Sequence, residues 1–154
     1  YDGSACAIIN GELYKRYDVK KGRNVPLNAI PCQEPDPITG HWPHWVRVEK
    51  SNKEDKYFIE AENNLISGFI NGKPHVTWKE DGTYELCGPK VQGNPESMDA
   101  HYLVKHGSEI RQLDDRSFNS IKDYLTDCDI EGIVFHHPDG RMCKIRKSDY
   151  GIKR

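Results

Sequence analysis

Near the carboxyl end of the chain, Glu131-Gly132-Ile133-Val134-Phe135-His136 and Met142-Cys143-Lys144-Ile145-Arg146-Lys147 flank Pro138-Asp139-Gly140-Arg141. Asp-Gly between two apolar runs is a hairpin signal, and a two-residue loop at Asp139-Gly140 pairs Phe135 with Lys144 and Ile133 with Arg146. Directly paired residues share a face, and side chains alternate along each strand. On that register Glu131, Ile133, Phe135, Lys144 and Arg146 occupy one face, while Val134, Cys143 and Ile145 point to the other. One carboxylate, two cations and an apolar platform suit a nucleotide. The cations meet phosphates, the carboxylate holds a metal ion or an amine, and the apolar side chains cover a base. A solvated, salt-bridged strand face has the same composition, so the pattern needs support from elsewhere in the chain.

A second group of candidates lies at the amino end. Ala5-Cys6-Ala7-Ile8-Ile9, Asn10-Gly11 and Glu12-Leu13-Tyr14-Lys15-Arg16-Tyr17 form a type I′ hairpin pattern in which Ala5 lies across from Arg16 and Ala7 from Tyr14. The face that carries Arg16 is otherwise lined by small residues, which leaves room for something to lie against it. His41-x-x-His44 has the spacing of two metal ligands but not the third and fourth that zinc requires.

The elements that must hold these residues follow from the periodicity. Residues 22–48 contain most of the nine prolines and His41-Trp42-Pro43-His44-Trp45, and are expected to be an ordered irregular insertion, because tryptophans need burial. Tyr57, Phe58, Ala61 and Leu65 have helical spacing, which predicts a helix over Phe58 to Asn64. Turns at Asn71-Gly72 and Asp81-Gly82 flank short strands, followed by Thr83–Cys87 and a further strand from His101 to Val104. Ser117 or Asp115 caps a short helix that turns Phe118, Ile121, Tyr124 and Leu125 toward the core. Antiparallel hairpins with a few short helices define an α+β class.

Composition narrows the possibilities. At 154 residues the chain fits one domain, and with three Trp, eight Tyr and four Phe it can fold in spite of 30% charged residues and a mean hydropathy of -0.82. A net charge of -2 gives no global attraction for a polyanion. Basic residues do cluster, however, between Tyr14 and Asn24 and between Arg141 and Arg154. These clusters are either a phosphate-binding surface or solvated edges. Five cysteines form no C-x-x-C pair, so reduced thiols of a cytosolic protein are expected rather than disulfides or zinc. No apolar run reaches the roughly 18 residues of a membrane span, and the start of the chain, which falls inside a motif, says nothing about a leader.

Asp2-Gly3, Tyr14-Lys15-Arg16, Tyr84-Glu85-Leu86-Cys87-Gly88, Glu131-Gly132-Ile133-Val134-Phe135 and Lys144-Ile145-Arg146 stand in order and at workable spacing. They resemble motifs I, Ia, III, IV and V of the covalent nucleotidyltransferases, the ligases and capping enzymes. The longer strings GHWPHWVRVEK, YELCGPKVQGNP, EGIVFHHPDG and KIRKSDYG resemble more narrowly the ATP-dependent RNA ligase 1 family of 5′-3′ ligases. The resemblance covers nearly the whole chain. It implies an adenylyltransferase domain with an ATP-grasp-like ligase fold of antiparallel sheets and flanking helices, spanning residues 1–154.

Motif I is Lys-x-Asp-Gly with Tyr1 at x, so the lysine that becomes linked to AMP is expected directly before Tyr1, in a domain truncated just after it. The resemblance further implies that Glu131 holds Mg²⁺ or Mn²⁺ or orients that amine. Lys144 and Arg146 would lower the amine's pKa and stabilise charge on the transferring phosphate. Asp2 and Gly3 are expected to bind ATP, with Arg16 near ribose or phosphate, Glu85 on the ribose hydroxyls, and Ile133 against the adenine. Tyr102, Val104 and His106 share a strand face, where either Tyr102 or His106 stacks on the base. Lys90, in the turn-rich loop after motif III, reaches RNA or pyrophosphate, or is an ordinary loop residue. The implied partners are ATP and RNA with 5′-phosphate and 3′-hydroxyl ends, in the cytoplasm, or the host cytoplasm for a viral chain. Rival readings are a nucleotide- or RNA-binding module without catalysis, a DNA ligase or capping enzyme, and a structural domain. The last leaves the shared face of Glu131, Lys144 and Arg146 without a reason.

Overall fold

Asn10 and Gly11 take φ of 51° and 76° in the computed structural model, which describes residues 1–70, 73–139 and 141–153. Both values are left-handed, as a type I′ turn requires. They join β1 (Ser4–Ile9) to β2 (Glu12–Val19) with Ala7 opposite Tyr14, the expected register. The turn has a further support: the Asp81 carboxylate accepts the backbone N–H groups of Asn10 at 2.7 Å and Gly11 at 2.9 Å.

The chain divides into two compact units, Gly3–Glu109 and Tyr1–Asp2 with Ile110–Arg154. In the first, β3 (Ile30–Pro31), β4 (Trp42–Arg47), β5 (Leu65–Ile70), β6 (Lys73–Val76), β7 (Gly82–Cys87) and β8 (Tyr102–Lys105) join the opening hairpin in an eight-stranded sheet. Its order is β3-β4-β2-β1-β7-β8-β5-β6. All neighbours are antiparallel except β5 and β8, where Leu65 lies beside Leu103 in parallel. Helix α1 (Lys56–Ala61) covers one face, and Cys6, Ile8, Leu13, Tyr84, Leu86 and Leu103 pack beneath it with Ala61 and Leu65.

Two expectations change here, and one is not reached. The insertion over residues 22–48 contains β4, which pairs with β2 from Tyr14↔Arg47 to Val19↔Trp42. Pro43 lowered the strand signal because it brings no N–H to a ladder. It is tolerated because the far side of β4 faces only the two-residue β3, and its carbonyl still accepts the N–H of Cys32. The helix runs from Lys56 rather than Phe58, after a single turn of 3₁₀ helix that Asn52 caps, and Leu65 leaves it to pair with Leu103. The Asn71-Gly72 turn lies outside the described residues.

In the second unit, α2 (Phe118–Asp127) starts at Ser117, whose Oγ accepts the N–H of Ser120, while Asp115 accepts from the backbone and hydroxyl of Ser117. Both proposed capping residues take part. Ile121 and Leu125 are buried as expected, but Phe118 is exposed and lies against the ring of Tyr150, 4.6 Å between centroids. The hairpin of β9 (Gly132–His136) and β10 (Met142–Arg146) completes this unit.

That hairpin is shifted by one residue from the expected register. Phe135 lies opposite Cys143, Val134 opposite Lys144, and Ile133 opposite Ile145. The His137 N–H bonds the Arg141 carbonyl, leaving three residues between the last paired positions rather than two. Asp139 favours the longer loop by accepting the backbone N–H and guanidinium of Arg141. Because the side-chain period is two, this single step moves Ile133 and Phe135 to the face opposite Lys144 and Arg146.

Candidate functional site

The sheet face away from α1 carries the amino-terminal candidates. Ala5 pairs with Glu85 and Glu85 with Val104, and one step beyond the last ladder pair of the first hairpin brings Arg16 beside Ala5. Arg16, Ala5 and Glu85 thus form one cross-strand row, with an alanine between a cation and a carboxylate. A cleft of about 500 Å³ includes Gly3, Ala5, Arg16, Asp18 and Glu85 of this region and reaches round to Lys15 and to Phe58 of α1, with Gln92 also in its lining.

Gly3 is needed for space. A Cβ on it would stand 2.2 Å from the Leu86 carbonyl oxygen and 2.9 Å from Glu85 Cγ, so only glycine lets β1 start this close to β7. Arg16 donates from Nε to Asp18 at 3.0 Å, with both side chains about half exposed. On the α1 side, Lys15 donates to Asp55 at 2.5 Å, and the buried Asp55 also accepts the N–H of Glu49.

His106 approaches Glu85 edge-on. Its Nε2 lies 2.9 Å from Glu85 Oε2 and its Nδ1 2.9 Å from Thr83 Oγ1. Tyr102 donates its hydroxyl to Asp99 at 2.8 Å, and that bond, ahead of partial burial, raises its pKa. Both rings proposed for stacking are therefore held by their polar edges.

In the other unit, Lys144 donates to both oxygens of Glu131, at 3.0 and 3.1 Å. Glu131 precedes β9 and escapes its alternation, so its carboxylate can reach a lysine that faces the other way from Ile133. Arg146 turns to Asp149, which takes its backbone N–H at 2.8 Å and its guanidinium at 3.2 Å. Those two donors, the N–H first, hold the Asp149 carboxyl below the usual range. Gly132 again answers a close approach: a Cβ would lie 2.3 Å from the Ile145 carbonyl oxygen. Val134, not Ile133 or Phe135, is the apolar neighbour of Lys144.

Among the described residues, no three His, Cys, Asp or Glu side chains are grouped to hold a metal ion. The single carboxylate of Glu131 suits an ion that keeps most of its waters and shares a phosphate, as Mg²⁺ does, and does not suit zinc. His44 is buried in β4 with Nδ1 2.9 Å from the Trp42 carbonyl. No described helix is long and apolar enough to cross a membrane. All five cysteines are free thiols, with Cys6 and Cys87 buried and Cys143 exposed.

Sequence reasoning missed Lys15, Asp55, Thr83 and Gln92. Lys15 had a signal: alternation from Leu13 points it to the core side, where a lysine needs a buried counter-charge.

The chain is a mainly antiparallel α+β protein, with cations and carboxylates set against each other on a sheet face and on a hairpin. Comparison with known proteins is more specific: the chain belongs to the RNA ligase 1 family, whose model matches residues 27–154. It is similar to the RNA ligase 1 proteins of Mus musculus and Pongo abelii, each 28% identical over 153 residues. The RNA ligase 1 of Danio rerio is 30% identical over 138 residues. The mouse and orangutan matches cover 83% of this chain and 47% of those proteins, and the zebrafish match 74% and 42%. The chain thus spans about half the length of the relatives it matches. Glu85, Tyr102, His106, Glu131, Ile133, Lys144 and Arg146 fall inside the family match; Asp2, Gly3 and Arg16 precede it.

Proposed function

We propose that this chain is the adenylyltransferase part of an ATP-dependent RNA ligase that joins RNA 5′-phosphate and 3′-hydroxyl ends. The observation that carries the reading is the family match over residues 27–154, inside which Glu85 lines a cleft and Lys144 stands exposed on Glu131. A lysine directly before Tyr1 attacks the α-phosphorus of ATP and expels pyrophosphate, leaving a lysine-AMP phosphoramidate. An RNA 5′-phosphate oxygen takes the AMP and frees the lysine. The RNA 3′-hydroxyl then attacks that 5′-phosphate and releases AMP.

The chain's residues serve these steps by charge and position. Lys144 and Arg146 oppose a protonated amine and stabilise charge on the transferring phosphate. Glu131 supports Lys144 and would hold Mg²⁺, which when bound neutralises phosphate charge. Arg16, Asp2 and Gly3 border ribose and phosphate, Glu85 meets a ribose hydroxyl, and Tyr102 contacts the base. The setting is cytoplasmic.

The test is strand sealing by the full-length protein. With ATP and Mg²⁺ it should join RNA ends bearing 5′-phosphate and 3′-hydroxyl, and neither 5′-hydroxyl ends nor the Lys144→Ala variant should give product. Sealing that survives Lys144→Ala would contradict the assignment. A comparison of nicked duplex, cleaved loop and free single strands identifies the substrate.

A further inference from the structure

We propose that His106 is a positioning residue that sets ribose selectivity: it holds Glu85 so that the carboxylate meets a ribose hydroxyl, and thereby favours ribonucleoside over deoxyribonucleoside triphosphates. The inference rests on the reading above, in which Glu85 faces the ribose.

Thr83 and Glu85 are two apart on β7 and so share its open face. His106 follows β8 and is tied to β7 by its own N–H, which bonds the Thr83 carbonyl at 3.0 Å. Its ring spans both side chains, with each nitrogen 2.9 Å from its partner. A carboxylate only accepts, so Nε2 carries the proton toward Glu85. In the neutral ring Nδ1 then accepts from the Thr83 hydroxyl, which fixes both tautomer and ring plane. The ring is partly exposed, with side-chain exposures of 41% for His106 and 16% for Glu85. Gly3 closes the opposite flank, where even a Cβ would meet Glu85 Cγ at 2.9 Å.

Glu85 is thus braced from two sides, with Oε2 committed to the imidazole and Oε1 the oxygen that suits a hydroxyl. A braced carboxylate discriminates because a deoxy sugar leaves it without its partner, whereas a mobile one turns to water instead. A His in this place is therefore worth more to ribose choice than to binding in general.

The experiment follows AMP transfer onto the full-length protein by intact mass, with ATP, 2′-deoxyATP and 3′-deoxyATP. Wild type should prefer ATP over one deoxy analogue by roughly 10²-fold. His106→Phe, which keeps a ring but neither nitrogen, should cut that preference about tenfold. His106→Gln, which keeps a donor, should restore most of it. In a Glu85→Gln background His106→Phe should change the preference no further. Equal loss with all three nucleotides, the mark of base stacking or of a fold defect, overturns the inference, as does a preference that survives His106→Phe. No adduct from wild type with any nucleotide removes the ligase reading and this inference with it. An adduct with unaltered selectivity removes the inference alone.

Discussion

Gly3, Asp55 and Lys144 show three ways a single residue can matter. Gly3→Ala puts a methyl group 2.2 Å from a carbonyl oxygen, which β1 can relieve only by moving off β7. An overpacking loss of about 1–3 kcal/mol is expected from urea unfolding, together with weaker nucleotide binding. Asp55→Ala leaves the Lys15 ammonium and the Glu49 N–H without their acceptor at a site only 1% exposed. Breaking such a pair should cost about 3 kcal/mol by the same measurement, and a loss below about 1 kcal/mol would show that water takes over the ammonium. Lys144→Ala and Glu131→Ala break a pair that is 46% and 25% exposed, so stability should stay within about 1 kcal/mol while AMP transfer falls. A large stability loss with intact transfer would reverse that assignment. Motif order made Glu85, Glu131 and Lys144 legible in the sequence. The His106–Thr83–Glu85 bridge was not, because it joins residues that only the pairing of β7 with β8 brings together.

At the scale of elements, turn chemistry decided what could be read. Asn10-Gly11 set its hairpin in the expected register because both residues accept positive φ. Asp139-Gly140 suggested an equally short loop, yet Asp139 serves Arg141 and the loop takes one residue more. One residue of loop exchanges the two faces of a strand pair, so Lys144 kept its carboxylate and lost its expected apolar platform. The first hairpin also carries a pH signature. The Gly11 N–H, then that of Asn10, holds the Asp81 carboxyl below the usual range. A carboxyl with a depressed folded pKa adds stability above its unfolded value, near 3.9, and loses it as pH falls through the folded value. Asp81→Asn should therefore lower the urea midpoint at pH 7 and do so less at pH 3. An equal deficit at both pH values would contradict the carboxylate's role.

For the molecule as a whole, the α+β class and the positions of most strands along the chain could be read from alternation and turn residues, but their order in the sheet could not. The insertion strand β4 could not, since Pro43 hides it, and neither could the parallel contact of β5 with β8, which depends on long-range packing. The family match reaches from residue 27 to 154 and includes elements of both compact units. The most direct measurement is the intact mass of the full-length protein after incubation with ATP and Mg²⁺, with the modified peptide fragmented. One AMP per chain is expected, linked to a lysine directly before Tyr1, and none in Lys144→Ala. No adduct, or an adduct on any other residue, would contradict it.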